Sequence, residues 1–319
     1  MPRTLLPALL VLLVLPYSLQ ASGWLILAPV LEPRQEVAVA AAGGMVYVIG
    51  GIGNGRVLSS VERYDPSTNQ WRFVVPLPEP LHHAAAASVG SSIYVVGGYR
   101  SLAFDATDSV YRYDTTTDRW HSMARLPAPR AALAAAAIDG KVYAVGGVPG
   151  GNQLTAYDPL TDRWTTLASM PTRREHLAAV GALGQLFAIS GRLQGNVSAF
   201  ECYDVIQDRW IVLPPIPTAR SGIAAAVVGE RIYVFGGEGN PLPVSGVFAE
   251  NESYSIRGGV WRTETPMPTP RHGIGAAAIG DSIYIPAGAT VQGFGTSNIH
   301  DAFVPAAGPR RRAARRGGS

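Results

Sequence analysis

Arg34, Arg130, Arg174, Arg220 and Arg271 each fall ten residues after a tryptophan, and Leu81 alone occupies the sixth such position. Beside them stand Glu36, His82, His83, Glu175, His176 and His272. Guanidinium groups gathered in one place grip carboxylates and other anions bidentately, which an ammonium group does not match. Imidazoles and carboxylates next to them are the common means of moving a proton near neutral pH. Two readings of the arginines stand. A residue repeated in every unit serves the unit, here by satisfying carbonyls of adjacent units; alternatively, the converging guanidinium groups bind an anionic ligand. His83, His176 and His272 break the repeat symmetry, as a local binding site would. The chain offers no Ser/His/Asp set and no acidic pair, and its histidines have no metal-ligand spacing, so neither a metal nor a cofactor is expected.

The elements that position these residues are set by a repeat. Each of the six tryptophans precedes a small-residue pair by 26 residues: Trp24 and Gly50-Gly51, Trp71 and Gly97-Gly98, Trp120 and Gly146-Gly147, Trp164 and Ser190-Gly191, Trp210 and Gly236-Gly237, Trp261 and Ala287-Gly288. Successive tryptophans are 47, 49, 44, 46 and 51 residues apart, a period that belongs to stacked units. Asp65, Asp114, Asp158 and Asp204 each precede the next tryptophan by six residues, and Ser255 keeps that count. The length variation falls between the glycine pair and the Tyr-Asp pair, so one loop per unit is free to vary.

Each unit reads as four short strands. The first is rich in Ala, which suits strands crowded near an axis, and a two-residue turn such as Asp139-Gly140 or Gly229-Glu230 follows it. The second strand carries an aromatic at one fixed site (Tyr47, Tyr94, Tyr143, Phe187, Tyr233, Tyr284) and ends at the glycine pair. Those glycines supply positive φ or admit another backbone where a Cβ would clash. The third strand carries the Tyr-Asp pair, and the fourth begins at the tryptophan. Four antiparallel strands repeated radially make a propeller.

A hydrophobic strand, Gly-Gly, Tyr-Asp and then Trp six residues later resemble the kelch repeat, and the resemblance runs from Trp24 to about Pro305. It implies an all-β, six-bladed β-propeller of four-stranded antiparallel blades. The last unit ends at His300 to Pro305 without a tryptophan, while the chain opens with an orphan strand, Trp24 to Pro29. The N-terminal strand is therefore expected to pair into the sixth blade and close the ring. The links from fourth to first strands share a face with the variable loops, so the arginines and histidines are expected to ring one mouth of the channel.

Residues 1–23 combine Arg3, an apolar run from Leu5 to Leu15 and the small residues Ala21-Ser22-Gly23, which reads as an export signal. The propeller is assigned to 24–305, and 306–319 to a disordered Arg-rich tail. Five tail arginines exceed the net charge of +3, so the rest of the chain carries −2 and no specific nucleic-acid binding is expected. One lysine, Lys141, against 25 arginines, with abundant Ala, Gly and Pro, fits a GC-rich bacterial genome. Beyond the leader no segment reads as a transmembrane helix, and a monomer is expected in the periplasm, in the medium or at the cell surface. The one cysteine, Cys202, sits beside Tyr203 on a strand, where neighbouring side chains point to opposite faces. Galactose oxidase, also a kelch-type propeller, uses a Cys-Tyr cross-link with copper, and this chain gives no basis for that cofactor.

Three functions follow: a noncatalytic recognition module for a protein, peptide or glycan; an exported enzyme on a small acidic sugar, resembling sialic acid mutarotases; or a structural surface component. A recognition module predicts an apolar and aromatic patch across the longer loops, Gly98 to Asp108 and Gly237 to Glu252. An enzyme predicts a mouth carboxylate with a raised pKa.

Overall fold

The computed structural model describes residues 23–306. The export signal and the Arg-rich tail lie, apart from their innermost residues, outside the described residues. Six four-stranded antiparallel sheets surround a central axis. Blade 4 shows the pattern, with strands Ala178–Ala182, Gln185–Ile189, Phe200–Asp204 and Arg209–Val212 running from the axis outward. The inner strands of blades 1 to 6 begin at Ala38, Ala85, Ala134, Ala178, Ala224 and Ala277. Their small side chains leave an alanine-lined channel of about 250 Å³ along the axis.

Second strands are apolar on both faces because each is sandwiched between neighbouring blades. Val142, Tyr143, Ala144 and Val145 are buried, and Tyr143 and Val145 pack with Leu186, Ala188 and Tyr203 of the next blade. Outer strands are mostly exposed instead: Trp164 packs against the preceding blade while Arg163, Thr165 and Thr166 face solvent.

Two rings of hydrogen bonds stitch blade to blade. At the perimeter, each tryptophan Nε1–H donates to a carbonyl just past the outer strand of the preceding blade: Trp24 to Thr265, Trp71 to Ala28, Trp120 to Val75, Trp164 to Ala124, Trp210 to Ala168 and Trp261 to Pro214. At mid-radius, the second residue of each small pair donates its N–H to the next blade, Gly98 to the carbonyl of Arg130 at 2.8 Å and Gly237 to that of Arg271 at 2.9 Å. At Gly97 that contact leaves no room for a side chain. A Cβ on Gly97 would sit 2.3 Å from the Arg130 carbonyl oxygen, and its φ is +62°.

The ring closes as the orphan strand requires. Gly23–Ile26 pairs with His300–Val304 in the sixth sheet, with Trp24 opposite Phe303, and the Trp24 ring lies 5.2 Å from Phe303 and 5.7 Å from Phe235 of blade 5. One local element differs from the sequence reading. Asn54-Gly55 turns a short hairpin, Ile52–Gly53 with Arg56–Val57, inside the first variable loop. Among the described residues no helix is long and apolar enough to cross a membrane.

Candidate functional site

The site grows from a third and innermost ring. Twelve residues after each tryptophan, Glu36, His83, Ala132, His176, Gly222 and Gly273 all adopt positive φ, between +51° and +64°. This turn points each N–H at the neighbouring blade. Glu36 donates to the Gly273 carbonyl, His83 to Glu36, Ala132 to His83, His176 to Ala132, Gly222 to His176 and Gly273 to Gly222, at 2.8 to 3.1 Å. Six blades thus share one unbroken hydrogen-bonded belt, and its six residues line a recess of about 80 Å³ at the channel mouth.

The belt is regular in backbone and irregular in side chain. Blades 1, 2 and 4 present Glu36, His83 and His176, while blades 3, 5 and 6 present Ala132, Gly222 and Gly273. The glycine at 273 has a steric cause, because a Cβ there would meet Glu36 Oε1 at 2.6 Å. His83 Nε2 lies 3.3 Å from Glu36 Oε2, and the His83 and His176 rings are 4.8 Å apart. Burial, then the neighbouring His176 and His82, hold the His83 imidazole well below its usual pKa.

A wall of ionic groups surrounds the recess. Arg192 Nε binds Glu175 Oε1 at 2.6 Å, its Nη1 reaches Glu238, and Glu175 also accepts from His176 Nδ1. Burial alone would raise the Glu175 carboxyl, but contacts from His176 and Arg192 outweigh it and bring it down to about 2. His272 Nε2–H donates to the Val291 carbonyl at 2.9 Å. Beyond the wall the variable loops expose Leu102, Phe104, Leu193, Leu242, Val244, Val291 and Phe294. Phe104 joins rim to recess, its ring 5.7 Å from His82 and 6.2 Å from His83.

The structure places the predicted residues in two groups. His83 and His176 meet at the axis, with His272 in the wall beside them. The five arginines do not ring the mouth; Arg34, Arg174, Arg220 and Arg271 are 0% exposed and Arg130 is buried. They cannot grip a ligand because they are buried and their guanidinium groups are engaged within their own blade rather than on adjacent ones. Arg220 bonds the carbonyls of Gly236 and Val234 at 2.8 and 3.1 Å and the carboxylate of Glu252. Arg34 pairs with Glu62, Arg174 with Glu201 and Arg271 with Asp301, each at 2.5 to 2.8 Å. Arg130 meets Thr155 Oγ1 instead, and burial with no carboxylate beside it lowers its pKa to about 10.

These carboxylates escaped the sequence reading, although a signal exists. Glu62, Glu201 and Glu252 stand nine residues before Trp71, Trp210 and Trp261, Asp301 holds the equivalent third-strand site of blade 6, and where the arginine is replaced by Leu81 the carboxylate is replaced by Tyr111. The mouth residues Arg192 and Glu238 were also missed; both directly follow a small-residue pair, where the other blades carry Ile52, Tyr99, Val148 and Ala289. The expectation of no metal-binding arrangement rested on spacing along the chain, which does not measure proximity between blades. Glu36, His83 and His176 bring one donor atom each within 4.8 Å of the others. Cys202 is buried among apolar side chains, and that burial pushes its thiol up to about 12.

Comparison with known proteins agrees with this architecture. A family model described as the KLHDC2/KLHL20/DRC7 Kelch-repeats domain matches residues 37–237, and the Kelch motif matches residues 219–268. The chain is 32% identical over 80 residues to "Kelch-like protein terF" of Aspergillus terreus, a match covering 25% of this chain and 17% of that protein's length. The solved structure of YjhT superposes with a TM-score of 0.74 at 17% identity, covering 86% of this chain and 95% of the other. With its motifs, its blades and these matches in register, the chain belongs to the kelch-repeat family.

Proposed function

We propose that the protein is a noncatalytic recognition module that takes a protein or peptide ligand on the loop face, across the axial mouth. The observation that carries this reading is the rim: exposed apolar side chains from four blades encircle a recess of fixed charges. An apolar ring with polar groups at its centre is how a binding face combines desolvation with orientation. Glycan ligands fit the same face through its aromatic positions. The reading includes action outside the cytoplasm, on the strength of the leader read in residues 1–23, and a monomeric state.

The test is panning a displayed random-peptide library on the purified propeller. Selected peptides should lose at least about tenfold in affinity, near 1.4 kcal/mol, with Phe104→Ala or Phe294→Ala. Leu160→Ala and Ile206→Ala, on turns of the opposite face, should leave affinity unchanged. Peptides insensitive to both rim substitutions would refute the reading.

One observation favours a second reading. Arg192, one third exposed in the mouth, sits beside Glu175 and His176, as an enzyme acting on a small acidic sugar would need. Against it, a carboxyl held near 2 is a weak base at neutral pH. Acceleration of sialic acid anomer exchange in NMR, abolished by Glu175→Gln, would favour the enzyme.

A further inference from the structure

We propose that Glu36, His83 and His176 form a site for one divalent first-row transition-metal ion, with Zn2+ the best match, at the centre of the mouth. The proposal is independent of what the rim recognises. His83 Nε2 and Glu36 Oε2 are 3.3 Å apart, and one donor from each of the three residues lies within 4.8 Å of the others. Bonds of about 2.0–2.1 Å in a tetrahedral shell put donors roughly 3.3 Å apart, so modest side-chain rotation completes the set. Two imidazoles and a carboxylate are the donors such ions prefer.

When the imidazoles are neutral, as metal ligation requires, their hydrogen bonds assign which nitrogens carry lone pairs. His82 Nε2 lies 3.0 Å from the Ser101 carbonyl, which only accepts, so the hydrogen is on Nε2 and the lone pair on His82 Nδ1. His83 Nδ1, 2.6 Å from that lone pair, therefore donates, and His83 Nε2 is left as an acceptor facing the Glu36 carboxylate. His176 Nδ1 donates to Glu175, leaving its Nε2 as an acceptor. Each ring is thus anchored through Nδ1 and offers Nε2, the arrangement of a metal-bound histidine with its supporting partner. Arg192 Nη2 lies 3.2 and 3.4 Å from the two ring nitrogens of His176. Near-equal distances put it over the ring face, clear of the in-plane lone pair.

A fourth nitrogen points to the same conclusion. His272 Nε2 donates to Val291; its Nδ1 is buried, has no hydrogen-bond partner, and lies 3.6 Å from Glu36 Oε1 and 3.4 Å from Glu238 Oε2. Carboxylates converging on an unpartnered imidazole nitrogen favour positive charge here, supplied by a proton on that nitrogen or by a metal ion. Three carboxylates, Glu36, Glu175 and Glu238, stand here against one guanidinium, Arg192. The small residues Ala132, Gly222 and Gly273 leave the remaining coordination positions open to the mouth. Three protein ligands with an open position define a metal that takes water or a ligand carboxylate as its fourth donor.

The test is isothermal titration of the chelator-treated, untagged chain with Zn2+, with Mg2+ as the hard-cation control and Co2+ absorption reporting coordination number. One Zn2+ per chain is expected, with a tetrahedral or five-coordinate Co2+ spectrum and no Mg2+ binding. His83→Ala and His176→Ala copy Ala132 of blade 3, so the belt tolerates them, and each should weaken Zn2+ at least tenfold. Glu175→Gln, which removes only a positioning partner, should weaken it by about tenfold, and His121→Ala on an outer strand should not. Absence of Zn2+ binding, or unchanged affinity in the His83→Ala/His176→Ala double variant, would overturn the proposal.

Discussion

At the scale of single residues, the buried arginines show that a repeated charge can be purely internal. Each guanidinium ties a link to carbonyls of its blade's second strand and to the third-strand partner, where a lone charge would be severely destabilising. Arg220→Leu should therefore cost about 3–5 kcal/mol in urea unfolding, because Glu252 stays buried without a partner. Arg220→Leu with Glu252→Tyr, which reproduces the Leu81 and Tyr111 of blade 2, should recover a substantial part of that loss. A second residue sets acid sensitivity. His300 is buried between blades 6 and 1, its ring 4.5 Å from Tyr64 and 5.1 Å from Trp71, and burial lowers its pKa to about 3. The folded value lies below the unfolded value of about 6.5. Its stability contribution is complete above pH 6.5 and is lost as pH falls toward 3. His300→Phe, which copies Phe200 of blade 4, should flatten that limb of a stability-versus-pH curve.

At the scale of elements, the glycine pairs separate backbone conformation from close approach. Gly90 and Gly97 have φ of +59° and +62°, but a Cβ on Gly90 meets nothing within 4 Å while one on Gly97 strikes a carbonyl of the next blade. Gly90→Ala should cost about 1 kcal/mol, and Gly97→Ala at least about 3 kcal/mol, measured by thermal unfolding. Strands, turns and the pinned intervals were legible in the sequence because Trp, Gly-Gly and Tyr-Asp mark contacts that every blade repeats. The arginine column was visible too, but its inward direction was not. A period fixes which residues are equivalent without saying which way a side chain turns, and only the paired loss at Leu81 and Tyr111 could have revealed the carboxylates.

At the scale of the whole molecule, three concentric sets of bonds convert six wedges into one ring, and the sixth wedge depends on a strand from the other end of the chain. Trp24→Ala removes an indole packed between Phe303 and Phe235 and its bond to Thr265. It should cost about 3–5 kcal/mol and raise hydrogen exchange along His300–Val304 ahead of the other blades. Ring geometry also explains why the mouth cluster was hidden from a linear reading. Glu36, His83 and His176 belong to different repeats, and only a closed circle brings one position of each repeat to a common centre. The closing pair has a practical corollary. Gly23 and Val304 are opposite one another at the hairpin-turn side of blade 6, so a linker, dye or bead joined to the chain at either of these residues sits beneath the disc and leaves the opening on top unobstructed.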